Sequence, residues 1–476
     1  METTVTDQRS QIEQVFAAQR NHMAGLRAEP IKQRKERIDK LGRWIKSNRQ
    51  QIHEALFADL HKPSAEADTT EIVPALTEVQ HSLTHLDRWT RPRKVDAPLT
   101  MLGTHSTIQY EPKGVCLIIS PWNYPFNLAV GPLISALAAG NTVILKPSEY
   151  APHTASLIRR MVETLFSENE VAVFEGGPEV SQKLLALPFD HIFFTGSTAV
   201  GKLVMKAAAE NLTSVTLELG GKSPAVVGPT AHIGMAAKRI AVAKFVNNGQ
   251  TCLAPDYVLV HESCARSFID ALKTEILELF TEKGKRLEDS PHYSRIVNQR
   301  HFERLQRLVE DAINRGAKPE LSGTVHESQR FMHPMVLTDV PDDALIMEEE
   351  IFGPVLPVRT YATLDDALAL INRKPKPLAL YIFGFNATEQ EKIITNTSSG
   401  AVCVNDCAIH FLHINLPFGG VNHSGIGKAH GFYGFQAFSN EKPVLVQRKG
   451  FTAVSMFYPP YTNRVKRLTD WLIRLF

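Results

Sequence analysis

The sequence predicts an α/β protein built on two Rossmann-like parallel-sheet domains. Two observations carry this. From residue 114 onward, short apolar runs alternate with helix-length amphipathic runs, and the alternation restarts after Glu218. Repeated strand–helix–strand units of this length require parallel sheets covered by helices on both faces. Composition agrees: 476 residues, 43% hydrophobic and 21% charged, supply core for two or three domains.

The elements follow in order. Residues 7–60 read as helices. Within 36–45, Ile38, Leu41 and Ile45 share one face, and the basic residues opposite them fit a solvated surface. A second amphipathic helix covers 72–89. Arg91-Pro92-Arg93-Lys94 then leads into 100–110, whose weak alternation predicts a projecting hairpin. The first series has strands at 115–119, 142–145, 171–174 and 191–194, with helices at 126–139, 154–165, 180–187 and 200–209. A boundary falls near Thr213. The second series has strands at 224–227, 257–261, 378–383 and 401–404, with helices at 231–245, 263–280, 364–371 and 388–394. Past 412 the chain is glycine-rich and loop-like, with a strand at 443–447. The tail, 464–476, places Val465, Leu468, Trp471, Leu472 and Leu475 on one helical face, with Arg464, Lys466, Arg467 and Arg474 elsewhere.

Composition also excludes. A net charge of +2 gives no bias toward nucleic acid, and no such partner is expected. Five scattered cysteines imply no disulfide framework and a reducing, cytoplasmic setting. Cys403 and Cys407 lack the partners of a zinc site and read as small buried residues, so no metal is expected. Residues 1–9 are polar, with no apolar stretch of a secretory signal after them. The uncharged stretch 114–145 is broken by Pro121, Pro125 and Pro132, which fits buried strand, loop and helix better than a membrane span.

Cys252 lies between a helix and a strand, with Gly249 three positions before it and Pro255 three after. Such a junction presents a side chain to a cleft. Upstream, Glu218 precedes Gly220-Gly221. A thiol nucleophile and a carboxylate base suit covalent chemistry at a carbonyl. A lone cysteine by itself establishes little.

The dinucleotide fingerprint G-x-G-x-x-G is absent. Instead, Thr195-Gly196-Ser197-Thr198-Ala199-Val200-Gly201 joins a strand to a helix. The glycines allow close backbone approach, and the helix N-terminus and Ser197 hydroxyl suit a pyrophosphate. Gly and Ser at such a turn also serve simply as caps. Lys146-Pro147-Ser148-Glu149 follows another strand end. Glu149 suits both ribose hydroxyls of an adenosine, with Lys146 as a further donor. A carboxylate there repels a 2′-phosphate, which favours NAD while leaving NADP open. A surface ion pair beside a helix-start proline is the alternative. Asn123, between Pro121 and Pro125, can donate to a developing oxyanion beside the Cys252 N–H, or can simply organise a turn. In Glu348-Glu349-Glu350-Ile351-Phe352-Gly353-Pro354, Glu350 suits a ribose and Phe352 a nicotinamide face; a helix start and turn is the plainer reading.

Together, Pro121–Pro125, Lys146–Glu149, Phe194–Ser197, Leu217–Lys222, Gly249–Cys252 and Glu349–Pro354 resemble the aldehyde dehydrogenase superfamily, matching in order and spacing over nearly the whole chain. Ala254-Pro255-Asp256-Tyr257, Pro417-Phe418-Gly419-Gly420 and Ser424-Gly425 look like its class 3, fatty-aldehyde and coniferyl-aldehyde branch. The resemblance implies Cys252 as nucleophile, Asn123 as oxyanion donor and Glu218 as base for thioester hydrolysis. It implies cofactor contacts at Trp122, Lys146, Ser148, Glu149, Gly196, Ser197, Gly201, Leu219, Glu350 and Phe352. It further implies a cofactor domain (1–90 and 110–213), a catalytic domain (214–412), a small β bridging and oligomerisation flap (91–109 and 435–450), an amphipathic tail (451–476) and a homodimer. The base glutamate favours a free acid product over a CoA thioester. The expected substrates are hydrophobic aldehydes: medium or long aliphatic, aromatic or apocarotenoid-like. A CoA-acylating enzyme and a non-catalytic lipid-surface protein of the same fold remain alternatives. The tail is too short to span a bilayer; it suits a peripheral contact with anionic lipid, a partner subunit or the substrate mouth.

Overall fold

The computed structural model describes residues 5–98, 101–282, 285–450 and 452–475. Among these, the first sheet has six strands in the order Gly425–Ile426, Ser214–Leu219, His191–Gly196, Val115–Ile119, Thr142–Lys146 and Val171–Val173. All neighbours are parallel except the first pair. The chain runs outward from Val115–Ile119 to Val171–Val173, then returns to the other side at His191–Gly196. That reversal opens a crevice at the carboxyl ends of the two central strands.

The period-two rule explains the burial. Cys116 and Ile118 face helices Asn127–Ala139 and Val73–Trp89, whereas Val115, Leu117 and Ile119 face Val5–Arg27 and Thr198–Ala209. Each fully buried aliphatic side chain contributes about 1.5–3 kcal/mol. Two-sided burial is why these strands read as unbroken apolar runs.

The second sheet has seven strands, in the order Lys318–Leu321, Met335–Thr338, Val355–Tyr361, Tyr257–His261, Pro224–Val227, Ala379–Phe383 and Ala401–Val404. Only Lys318–Leu321 is antiparallel. Ser214–Leu219 ends at Gly220-Gly221, and Pro224–Val227 begins just beyond Lys222-Ser223. This short passage sets the carboxyl end of one sheet against the amino end of the other. The cleft between them holds the site.

Two expectations change. The boundary expected near Thr213 falls just before a strand of the first sheet: Ser214–Leu219 pairs with His191–Gly196. The flanking glycines masked it. The segment expected as a hairpin at 100–110 is instead one strand, Thr104–Pro112, between Arg93–Val95 and Ser439–Gln447 in a three-stranded antiparallel sheet. Alternation announces a strand but not its partner. Residues 99 and 100 lie outside the described residues. The tail forms helix Asn463–Leu475, with Trp471 57% and Ile473 72% exposed. No helix among the described residues is long and apolar enough to cross a membrane.

Candidate active site

Helix Ile233–Phe245 ends in a backbone run that turns the chain into the cleft. Asn247, Asn248 and Gly249 take φ of 52°, 56° and 72°. Asn tolerates the left-handed region better than most residues, and glycine freely. At Gly249 nothing else fits, because a Cβ would lie 2.3 Å from the Gly353 oxygen. Side chains fix the run from several sides. Asn247 Nδ2 donates to the Asn123 carbonyl at 2.8 Å, and Asn248 Nδ2 to the Ser294 carbonyl at 2.8 Å. Gln250 Nε2 donates to the carbonyls of Asn247 (2.9 Å) and Arg295 (3.0 Å), while its Oε1 accepts from Val297 N at 2.9 Å. Strain held this firmly is characteristic of functional loops.

Cys252 follows, half-buried against an apolar cluster that includes Leu253, Tyr381 and Phe418. Burial pushes its thiol up to about 12, and the carboxylates of Glu350 and Glu218 push the same way. The Cys252 and Leu253 N–H groups act oppositely, favouring a thiolate. Cys252 therefore lies within electrostatic reach of both predicted carboxylates and beside backbone donors.

Glu218, 6% exposed, lies on Ser214–Leu219. Neither carboxylate oxygen has a hydrogen-bond partner among the described residues. Burial raises its pKa well above the ordinary value, against the pull of Lys428. Gly419 makes room for it: a Cβ there would stand 3.0 Å from Glu218 Oε1. Asn123 is 3% exposed, in the loop after Val115–Ile119. Its Nδ2 donates to the Gln250 carbonyl at 3.0 Å. Its own carbonyl also accepts from Lys62 Nζ at 3.1 Å. Lys62 in turn forms a fully buried pair with Glu71 at 2.6 Å, whose other oxygen takes the N–H groups of Phe126 and Asn127. The Asn123 loop is thereby tied to the cysteine loop.

The cofactor candidates ring the carboxyl end of the first sheet. Lys146 ends Thr142–Lys146 and pairs with Glu149 at 2.7 Å; Ser148 Oγ accepts from Tyr150 N at 3.2 Å. Gly196 ends its strand, and Ser197 caps helix Thr198–Ala209 by accepting from Val200 N at 3.4 Å. Two close approaches make this turn suit a dinucleotide. A Cβ on Gly196 would lie 2.5 Å from Phe194, and one on Gly201 2.7 Å from Leu219. Across the cleft, Glu350 lies against Gly220, where a Cβ would stand 2.1 Å from Oε2. Burial first, then Asp256, raises Glu350 to about 7. Phe352, at φ 49°, meets Trp122 edge-on at 5.3 Å, and Trp122 meets His301 at 4.9 Å. The predicted residues thus fall into two groups: Glu218 and Glu350 act electrostatically on Cys252 while Asn123 is bonded to the cysteine loop, and Lys146 and Ser197 lie at the carboxyl ends of Thr142–Lys146 and His191–Gly196.

Several supports escaped sequence reading. Lys222 Nζ binds Asp256 and donates to the carbonyls of Ile346 and Glu349, both at 2.8 Å, while Arg304 donates to the carbonyls of Glu350 and Ile351. They fasten the Glu350 segment to the cysteine side. Buried Lys62, Glu71 and Gln250 do the same for Asn123. Polar and charged side chains, most of them in loops between elements, give no sign in the sequence of such burial.

A family model described as the aldehyde dehydrogenase family matches residues 2–444. The 4,4'-diaponeurosporen-aldehyde dehydrogenase of Staphylococcus aureus is 44% identical over 455 residues, 96% of this chain and 98% of that protein. A probable coniferyl aldehyde dehydrogenase of Pseudomonas aeruginosa is 42% identical over 96% of this chain and 95% of its own length. Among solved structures, Staphylococcus aureus AldH in a substrate-bound state matches with a TM-score of 0.92 and 43% identity, covering 97% of this chain and 99% of that one.

Proposed function

The chain belongs to the aldehyde dehydrogenase family, and from that premise we propose how its residues perform NAD(P)-dependent aldehyde oxidation and on which aldehydes. One observation carries the mechanism: a half-buried thiol lies within electrostatic reach of a buried carboxylate whose oxygens lack partners among the described residues, beside backbone and Asn123 donors. Cys252, deprotonated through Glu218 or a water, attacks the aldehyde carbon and forms the C–S bond. The oxyanion is held by the Asn123 side-chain amide and the Cys252 N–H. When bound, NAD(P) supplies the acceptor for the aldehydic hydrogen and its electron pair. Their loss leaves a thioester on Cys252. Glu218 then takes a proton from water, whose oxygen attacks the thioester carbon; the C–S bond breaks, releasing a carboxylic acid and the Cys252 thiolate.

The Gly196, Ser197 and Gly201 turn against Leu219 fits the cofactor's pyrophosphate, Lys146, Ser148 and Glu149 its adenosine side, and Glu350, Phe352 and Trp122 its nicotinamide side. The Glu149 carboxylate favours NAD over NADP. The substrate reading is hydrophobic aldehydes, supported by the apolar wall around Cys252 and by the aldehydes named for the two bacterial relatives. In a series of straight-chain and aromatic aldehydes, followed by NAD(P)H absorbance, kcat/KM is expected to rise with apolar size. A clear preference for acetaldehyde would sink this reading.

The chain is further proposed to form a homodimer, with cytoplasmic location and peripheral membrane contact through the tail. Arg464, Lys466, Arg467 and Arg474 beside exposed Trp471 suit an anionic surface. Light scattering is expected to give twice the chain mass of 53.0 kDa. Co-sedimentation with phosphatidylglycerol vesicles, but not phosphatidylcholine vesicles, is expected to disappear when residues 463–476 are removed. Equal pelleting with and without the tail would exclude its role.

A further inference from the structure

We propose that His410 is a specificity-determining residue that binds a hydroxyl group carried by the aldehyde. This deepens the dehydrogenase reading and rests on it. His410 lies in the turn Ile409–Leu412, beyond strand Ala401–Val404. Its ring stands 6.3 Å from the Tyr381 ring and stacks at 6.3 Å on Phe418. Phe418 stacks on His430 at 4.8 Å, and Phe411 meets both edge-on, at 5.1 and 4.6 Å. This aromatic group adjoins the nucleophile. Tyr381 Oη donates to the carbonyl of Leu253, next to Cys252, at 2.6 Å. Cys252, Ala408 and Phe411 pack against the same apolar cluster.

Within that wall, both His410 ring nitrogens are buried, and neither has a partner among the described residues. Buried polar atoms are nearly always paired, and an unpaired one is costly. A phenylalanine would stack in this cluster without that cost, so packing alone does not account for an imidazole. Burial also holds the ring's pKa down to about 4. At neutral pH the ring therefore offers one N–H donor and one bare nitrogen acceptor. A hydroxyl, which both accepts and donates, is the small group that complements either one. A carboxylate serves only the N–H, an ammonium only the bare nitrogen, and a hydrocarbon chain serves neither.

The test compares matched aldehydes with and without a hydroxyl: meta-hydroxybenzaldehyde against benzaldehyde, hydroxycinnamaldehyde against cinnamaldehyde, and ω-hydroxyalkanals against alkanals. The ratio of kcat/KM within each pair is measured for wild type, His410→Phe and His410→Gln. Comparing variants cancels the intrinsic reactivity of each aldehyde. In at least one pair the wild-type ratio is expected to exceed the His410→Phe ratio about ten- to a hundredfold, the worth of a buried polar group left unpaired. The change should appear in KM for the hydroxylated member, with the deoxy partner unchanged or improved. His410→Gln, which keeps a donor and an acceptor, should retain part of the preference and serves if the phenylalanine variant misfolds. Equal ratios in all three proteins would overturn the proposal and leave the imidazole to packing and a bound water. Absence of turnover with every aldehyde would instead overturn the dehydrogenase reading, and this one with it.

Discussion

Cys252→Ala is expected to abolish aldehyde-dependent NAD(P)H formation, with kcat falling at least about 10⁴-fold. No other thiol can replace it. Cys116, Cys264, Cys403 and Cys407 are buried, and burial raises each thiol's pKa. The variant should fold normally, since it removes one sulfur from a half-buried position. A companion measurement reads the electrostatics directly. With its thiol pushed up to about 12 by burial, Glu350 and Glu218, the cofactor-free enzyme should react slowly with iodoacetamide at neutral pH. The rate should climb as pH rises, and Cys252→Ala should lose that reaction. Rapid alkylation at pH 7 would contradict the raised thiol, whereas turnover above a few per cent in the variant would contradict the nucleophile assignment.

The second large effect is on thioester hydrolysis. Glu218→Gln is expected to retain a single-turnover burst of NAD(P)H while steady-state turnover falls about 10²–10⁴-fold, the range for loss of a general base. The pH profile carries the sign. A base works only when ionised, and burial lifts the Glu218 carboxyl well above the usual carboxylate range. Wild-type steady-state turnover should therefore rise with pH through that raised value and fall as pH drops below it. In Glu218→Gln this limb should vanish. Loss of the burst as well would show that Glu218 also deprotonates the thiol; an unchanged steady state would place the base elsewhere.

Much of this was legible in the chain because it is local. Apolar runs such as Val115–Ile119 read as strands since both faces are buried. Thr195 to Gly201 read as a strand-to-helix turn because glycines and a hydroxyl there suit either a phosphate or a helix cap, and Ser197 does cap the helix that follows. Cys252 and Glu218 stood out beside glycines, though the strand carrying Glu218 was hidden by those same glycines.

What the sequence determined by itself was the strand–helix alternation over 115–209 and most of that over 224–280 and 364–404, with the reactive residue types and their order, all fixed by periodicity and by neighbours a few positions away; the strands Lys318–Leu321, Met335–Thr338 and Val355–Tyr361 and the helix Gln299–Asn314 before them escaped sequence reading. What only the tertiary structure decided was how those residues act on one another. Glu218 and Glu350 come from strands and loops far from Cys252, yet both raise its thiol. Lys62, Glu71 and His410 read as ordinary residues until packing removed water from their polar atoms. The physical reason is that desolvation and charge interaction depend on distance through space, and a single sequence does not record which distant residues share one dry cleft.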